Sequence, residues 1–319
     1  MKIKYCKSFV VKVYRNIEEF KPNANTIATI GTFDGVHTGH NVIISRVKQL
    51  SFEMKGESVI ITFSPHPQLV LHPDEKGIYI LTTDEEKIKL LEQHGIDHII
   101  IMPFTKKISS VSYLNFIKDV LINTLHVKKL VIGYDHHFGN NREGELRHLV
   151  DYGKQYHFEV EDIPAQKVDD IAVSSTKIRK ALMAGDMSAA NKFLGYQYFF
   201  KGKVVKGEGI GRTLGFPTAN IEIDHPFKLV PAHGVYAVLV DYKGKRYKGM
   251  MDIGMRPTFN GIKQVIEINI FNFDENIYYE FLNVTIVERL RSDIKFPGAE
   301  QLKEQLSKDK INTERILNK

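Results

Sequence analysis

The sequence predicts an α/β chain in two parts: a doubly wound parallel sheet, then a small antiparallel β-barrel. Three observations carry this. Residues 1–185 alternate apolar, β-branched runs with segments of helical spacing, the pattern of repeated β–α units. The character changes near residue 185: within residues 186–319, after Tyr196, the pattern becomes two-fold alternation with turn punctuation, the pattern of short antiparallel strands. A length of 319 residues leaves room for two domains at about 100–200 residues each.

In the first part, Thr26–Phe33, Ser58–Phe63, His98–Met102, Leu130–Gly133 and Phe158–Ile163 read as strands buried on both faces, because their apolar residues run without alternation. Helices fall between them. Asn41–Lys55 carries Val42, Ile43, Val47 and Leu50; Asp84–His94 carries Ile88, Leu90 and Leu91; Val111–Leu125 carries Leu114, Ile117, Leu121 and Ile122. Ser175–Ala184 and Met187–Leu194 read as two more helices, split by Gly185-Asp186. After Tyr196, Val235, Ala237 and Leu239 alternate with Tyr236, Val238 and Val240. Lys243-Gly244-Lys245 then turns the chain into Arg246–Met251, and Val265–Phe273 and Leu282–Arg289 follow as strands. Ala299–Lys308, with Leu302 and Leu306 at helical spacing, reads as a closing helix.

Composition narrows the class. A 43% hydrophobic and 26% charged chain is neither mainly disordered nor collagen-like. No apolar run reaches the ~18 residues of a membrane span, and the N-terminal stretch lacks a secretory signal's apolar segment. A single cysteine, Cys6, excludes an intrachain disulfide framework and a Cys-based zinc cluster. The expectation is a cytoplasmic protein. The formal net charge is +6, but the basic residues are scattered among acids. That suits a mixed solvated surface as well as a nucleic acid, a membrane surface or a phosphorylated ligand.

The chemistry-bearing residues begin at the end of the first strand, in Gly31-Thr32-Phe33-Asp34-Gly35-Val36-His37-Thr38-Gly39-His40, with a helix after them. Glycines permit a tight turn and close backbone approach, and the helix N-terminus offers free N–H groups to an anion. His37 and His40 are three apart and share a face in the first helical turn, where imidazole donors can hold phosphate oxygens. The same histidines can simply cap the helix. No HExxH motif or third ligand supports zinc. Two other strands end in Phe63-Ser64-Pro65-His66-Pro67 and in Gly133-Tyr134-Asp135-His136-His137-Phe138-Gly139, the latter followed by Arg142. Ligands of open α/β sheets sit beyond the carboxyl ends of strands, so these segments converge on one crevice. Val173-Ser174-Ser175-Thr176-Lys177-Ile178-Arg179 opens a helix with hydroxyls suited to capping. Cations oppose the dipole at a helix N-terminus, which tips Arg179 toward phosphate binding.

The second part contains Gly207-Glu208-Gly209-Ile210-Gly211, then Gly215-Phe216-Pro217-Thr218-Ala219-Asn220. This is neither GxGxxG nor a P-loop, but glycine-rich loops cradle phosphates through backbone N–H groups. Thr218 and Asn220 flank Ala219 and share one face of an extended strand, where a hydroxyl and an amide oxygen are suitable hard ligands for Mg²⁺ beside ATP. A hairpin loop with a structural threonine reads equally well. Glu267 faces away from Ile266 and Ile268, placed to accept a proton from an attacking alcohol or simply to face water.

With these residues in view, the sequence resembles the bacterial bifunctional riboflavin kinase/FAD synthetase (FMN adenylyltransferase) family. GTFDGVHTGH, TFSPHP, GYDHHFGNNREG and VSSTKIR resemble its HxGH-type nucleotidyltransferase module; GRTLGFPTAN, GMMDIGMRPTF, the EIN strand and LRSDIKF resemble its riboflavin kinase module. The resemblance covers nearly the whole chain. It implies phosphorylation of riboflavin to FMN with ATP, then adenylylation of FMN to FAD plus pyrophosphate, with Mg²⁺. It implies that His37, His40 and Arg179 stabilise phosphate charge, and that Gly31, Phe33, Asp34, Asp135, Gly139, Arg142, Ser175 and Thr176 bind ATP. It places Phe63, Ser64, Pro65 and Pro67 near the flavin. In the second half it implies ATP binding by Gly207, Gly209 and Gly211, Mg²⁺–ATP ligation by Thr218 and Asn220, Glu267 as general base, and Arg291 as a residue closing over the flavin. Three positions depart from the family pattern: His136 where many relatives carry Phe, Asp252 where Asn is usual, and Tyr279 where Gly is usual.

The expected partners are riboflavin, FMN, FAD and ATP, with no nucleic acid and no membrane; the oligomeric state is not readable. Two alternatives stand beside this reading. Another HxGH adenylyltransferase, acting on a nicotinamide or pantetheine phosphate, leaves the PTAN half unexplained. A flavin-sensing, nucleic-acid-binding regulator needs its basic residues gathered on one face.

Overall fold

The structure is a computed structural model and describes residues 11–22, 25–75, 77–133, 146–163, 173–207, 209–258 and 261–318. The chain divides into two compact units, with the division between Ser174 and Ser175.

The first unit is built on one parallel sheet. Strands β1 (Lys12–Tyr14), β2 (Thr26–Ile30), β3 (Glu57–Ser64), β4 (His98–Pro103), β5 (Val127–Gly133) and β6 (Glu159–Ile163) lie in the order β1-β4-β3-β2-β5-β6. Every pairing is parallel. The helices are α1 (Thr38–Glu53), α2 (Pro67–Leu71), α3 (Asp84–Glu92), α4 (Lys106–Ser109), α5 (Tyr113–Asn115) and α6 (Leu146–Tyr156). The unbroken apolar runs are buried on both faces. Ala28, Val59, Ile61 and Leu130 pack with Ile117 and Leu121 on one side, while Ile27 and Val131 pack with Val47 and Leu50 of α1 on the other.

Three local readings are corrected. β2 ends at Ile30 rather than Phe33, because Phe33, Gly35 and Val36 take φ of 46°, 86° and 36° and turn the chain out of the sheet. The segment expected as one helix over 111–125 is a short α5 running into a π-helix, Phe116–Thr124. β1 was not foreseen; at three residues it is too short to show a pattern, and it exists by pairing with β4.

The strand order places a topological switch beside β2. The chain proceeds from β2 to β3 and β4 on one side, and β5 and β6 lie on the other. Such a switch is where open α/β sheets bind ligands, at the strand carboxyl ends. The turn 31–37 leaves β2 at that end.

The second unit begins with α7 (Ser175–Ala184) and α8 (Met187–Leu194). It continues through β7 (Phe199–Val205), α9 (Ile210–Thr213), β8 (Ala219–Glu222), β9 (Gly234–Tyr242), β10 (Lys245–Thr258), β11 (Gly261–Ile270), β12 (Phe281–Arg291) and α10 (Ala299–Leu317). The strands close into a barrel in the order β10-β11-β8-β7-β12-β9, antiparallel throughout. The Lys243-Gly244 turn joins β9 to β10 with φ of 46° and 77°, the left-handed pair that matches strand twist. α7 is tied into this unit at its C-terminal turn: Ala232 N–H donates to the Leu182 carbonyl, and Arg289 donates to the Ala184 carbonyl.

The clean alternation expected along β9 is not observed. Val235 and Ala237 are buried together with Tyr236 and Val238, because β9 is covered on both faces. Val235, Met250 and Phe271 pack with Leu306 of α10 on the outer face. α10 itself runs beyond the expected Lys308 to Leu317, since Asp309 and Thr313 are also buried.

Candidate active sites

The first candidate site is the turn between β2 and α1. His37 is the N-cap of α1, and its Nδ1 accepts from the His40 backbone N–H at 3.3 Å. His40 Nδ1 accepts in return from the His37 N–H, also at 3.3 Å. This is a capping box built from two imidazoles. The rings stack at 3.6 Å between centroids, and the Phe33 ring lies 5.1 Å from His40. The capping and the functional readings of these histidines are therefore compatible: each ring uses Nδ1 as acceptor, which leaves the proton of a neutral imidazole on Nε2. Burial holds His40 well below the ordinary histidine range, and His37 and the Lys87 ammonium push the same way.

Asp34, expected among the ATP-binding residues, is held by backbone in this structure. It is 1% exposed. Its carboxylate accepts from the Leu81 N–H at 2.9 and 3.1 Å and from the Thr82 N–H at 3.1 Å, while the Gly35 N–H donates to Thr82 Oγ1 at 3.0 Å. Asp34 thus pins the turn to the chain ahead of α3. Gly31 packs closely under the Phe33 ring: a Cβ there would sit 3.2 Å from it, so the ring would have to shift by a few tenths of an ångström.

Phe63 and Ser64 end β3, the strand next to β2, and the Gly31 N–H bonds the Ile61 carbonyl. Phe63 packs edge-on to Phe104 at 5.5 Å. Pro65 is exposed, and Pro67 starts α2 with His66 as its N-cap. Asp135, Gly139 and Arg142 lie outside the described residues. Ser175, Thr176 and Arg179 form the first turn of α7, in the second compact unit; Thr176 is exposed, and Ser175 and Arg179 are half-buried.

The second candidate site lies on the barrel's outer face. Strand register sets Val205, Asn220, Glu267, Asp252, Val235 and Arg291 directly opposite one another in a row across six strands. Directly opposed residues share a face, so Asn220, Glu267 and Asp252 stand side by side. Ile221, Ile266 and Ile253 form the adjacent row on the inner face. A cleft of about 370 Å³ is lined by Gly207, Asn220, Lys228, Arg256 and Glu267, among others. The Asn220 amide lies where a Cβ of residue 207 would be, 2.1 Å from Nδ2, so Gly207 makes room for it. Gly211 likewise approaches Thr218, whose Oγ1 would be 3.2 Å from an added Cβ.

Arg256 Nη2 donates to Glu267 Oε2 at 2.8 Å. Asp252 sits among Asp293, Glu267, Arg256 and Arg291. Burial and then Asp293 push its carboxyl up to about 6, with Glu267 adding to the rise and the two arginines opposing it. Arg291 is engaged by its own fold: its Nε and Nη2 donate to the buried Asp309 carboxylate of α10, at 2.8–3.2 Å. Its guanidinium locks α10 to β12. Tyr279 takes φ of 69°, the left-handed region, and is exposed.

Sequence reasoning missed several residues. Asn269 donates to the Pro217 carbonyl at 2.7 Å and tethers the turn before Asn220; its only signal was that it shares a face with Glu267. Arg256, Lys228 and Lys87 carried no signal, because only the fold brings them to these sites.

Fold and sites define the class: a nucleotidyltransferase-type parallel sheet joined to a riboflavin-kinase-type barrel. The family model for FAD synthetase matches residues 19–177, and that for riboflavin kinase matches residues 194–317. The bifunctional riboflavin kinase/FMN adenylyltransferase of Buchnera aphidicola (subsp. Acyrthosiphon pisum) is 34% identical over 312 residues, covering 97% of this chain and 99% of its own. The protein of that name from Listeria monocytogenes is 37% identical over 290 residues, covering 91% of each. The chain belongs to the bifunctional riboflavin kinase/FMN adenylyltransferase family. A solved structure named as a macrolide-efflux protein from Streptococcus pneumoniae superposes with a TM-score of 0.86 at 28% identity, covering 95% of this chain and 98% of its own. Efflux is that protein's name alone; among the described residues here, no helix is long and apolar enough to cross a membrane.

Proposed function

We infer that this chain phosphorylates riboflavin to FMN and then adenylylates FMN to FAD, each step using ATP. The observation that carries the reading is the presence of two separate phosphate-handling arrangements on two folds: the imidazole-capped turn at the switch of the parallel sheet, and the Asn220–Glu267 pair in the barrel cleft.

In the kinase step the terminal ribityl hydroxyl attacks the γ-phosphorus of ATP, Glu267 accepts its proton, and ADP leaves. Arg256 fixes the orientation of the Glu267 carboxylate. The hydroxyl of Thr218 and the amide oxygen of Asn220 are hard donors, and the space cleared by Gly207 and Gly211 fits them to hold Mg²⁺ with ATP. The ion would neutralise developing phosphate charge when bound. Gly209, at φ 72°, turns the chain into α9, and its role in ATP binding rests on the sequence resemblance.

In the adenylyl step the FMN phosphate attacks the α-phosphorus directly and pyrophosphate leaves, so no enzyme nucleophile is needed. Catalysis is positioning and charge stabilisation. The α1 N-terminus with the His37 and His40 imidazoles receives the phosphates, and Gly31 and Phe33 shape the turn. The roles of Asp135, Gly139, Arg142, Ser175, Thr176 and Arg179 as phosphate and nucleotide ligands, and of Phe63–Pro67 at the flavin, rest on the sequence resemblance. The functional division at residue 185 rests on the change of sequence pattern there, and a cytoplasmic location on the single cysteine and the absence of a secretory signal from the sequence.

The test is to incubate the purified chain with riboflavin, ATP and Mg²⁺ and separate the flavins. FMN followed by FAD is the expected result. Neither product would overturn the reading, and FAD from supplied FMN but none from riboflavin would show an inactive kinase half.

A further inference from the structure

Lys87 lies on α3, outside the strand-end turns assigned to the adenylyl site, yet it is 4% exposed. Lysine is seldom buried this deeply without a paired charge. Among the described residues its hydrogen-bond partner is Thr62, whose Oγ1 it reaches at 3.3 Å. Thr62 Oγ1 in turn donates to the Thr32 carbonyl at 3.0 Å. Thr32 stands between Gly31 and Phe33, where the chain leaves β2. A relay thus runs from the ammonium to the backbone of the turn that ends in His37 and His40.

The groups around this ammonium are few. The carboxylates of Asp34 and Asp84 act on it through space, and burial pushes it down from the ordinary lysine range against their pull. Asp34 is occupied by the Leu81 and Thr82 backbone, and Asp84 reaches toward Arg15 at 4.0 Å. His40 is faced by His37 from α1, by Phe33 from the turn and by the Lys87 charge from α3. Among the described residues, the fold therefore holds a buried cation tied through Thr62 to a turn whose imidazoles offer donors to an anion.

We propose that Lys87 is a positioning residue of the adenylyl site: through Thr62 it holds the backbone of the 31–37 turn, and its buried charge draws the ATP phosphates onto the His37–His40 pair. This rests on the reading of that turn as the ATP site. A cation in a low-dielectric setting acts over several ångströms, so direct contact with ATP is not required.

The experiment compares the full-length chain with Lys87→Met, Thr62→Val and His40→Ala. The KM values for ATP and for FMN are measured in FAD formation. The His40 ring is titrated by NMR, its signal assigned by its loss in His40→Ala. A dispersed NMR spectrum of the first unit, matching that of the parent chain, reports that the unit holding all three residues has folded. Lys87→Met is expected to raise the KM for ATP about tenfold, leave the KM for FMN unchanged, and move the His40 midpoint upward by about half a pH unit or more. Thr62→Val keeps the charge, so it should raise the KM for ATP less and leave the midpoint in place. An unchanged KM for ATP and an unmoved His40 in Lys87→Met overturn the proposal. If Lys87→Met does not fold, Thr62→Val decides: a raised KM for ATP supports the relay, and an unchanged one overturns it. Full FAD formation by His40→Ala would instead overturn the reading of the turn as the ATP site, and the proposal with it.

Discussion

Asp252 on β10 stands directly opposite Glu267 on β11, and a single arginine, Arg256, acts on both carboxylates. Burial raises the cost of ionising Asp252 most, Asp293 adds to it, and the neighbouring Glu267 carboxylate adds a smaller share. The position matters because the family pattern places an uncharged Asn where this chain has Asp252.

That cost makes stability depend on pH. The Asp252 carboxyl is raised from 3.8 to about 6, so between those values the folded chain holds more protons than the unfolded one. Stability from this group is therefore fully present below pH ~4 and is lost as pH rises through ~6. Asp252→Asn removes the ionisable group and should stabilise the chain by about 1–3 kcal/mol at pH 8. The gain should vanish near pH 4. Urea midpoints at the two pH values check it; a gain that does not depend on pH would refute the electrostatic account.

The two-site arrangement makes the activities separable. His40→Ala removes a phosphate donor and should lower FAD formation from FMN by about 10²–10³-fold while sparing FMN formation. Glu267→Gln should do the reverse, lowering riboflavin phosphorylation by about 10²–10⁴-fold. Separate assays with riboflavin and with FMN measure both; equal losses in both activities for both variants would contradict two sites.

Gly207 clears space for the Asn220 amide. The atom a Cβ would strike is the end of a movable side chain, so Gly207→Ala should fold with a change of less than about 1 kcal/mol. The amide must swing away, and riboflavin phosphorylation should fall about tenfold or more. FAD formation from FMN serves as the internal control and should stay at the parent level.

Tyr279 occupies the left-handed region at φ 69°. A side chain there costs about 1–2 kcal/mol, and a glycine returns about 0.5–1 kcal/mol of that in unfolded-chain entropy. Tyr279→Gly should therefore stabilise the chain by up to about 1 kcal/mol. A lowered urea midpoint would mean that the ring's packing near Lys203 outweighs the strain.

What was legible in the sequence followed from local chemistry. Unbroken apolar runs such as Ser58–Phe63 identify strands buried on both faces, and the Lys243-Gly244 turn announces a hairpin, because these signals depend on neighbours within a few residues. The His37–His40 pair was readable for the same reason, since residues three apart share a helical face wherever the helix goes. Only the tertiary structure decided what depends on distant partners. Asp34 is occupied by Leu81 and Thr82, 47 and 48 positions away; Arg291 is taken up by Asp309; Asp252 is set against Glu267 by barrel register. Lys87 reaches the turn through Thr62, 25 positions before it. Spacing in the sequence carries no record of such contacts, because chain closure and strand register create them only when the sheet and the barrel form.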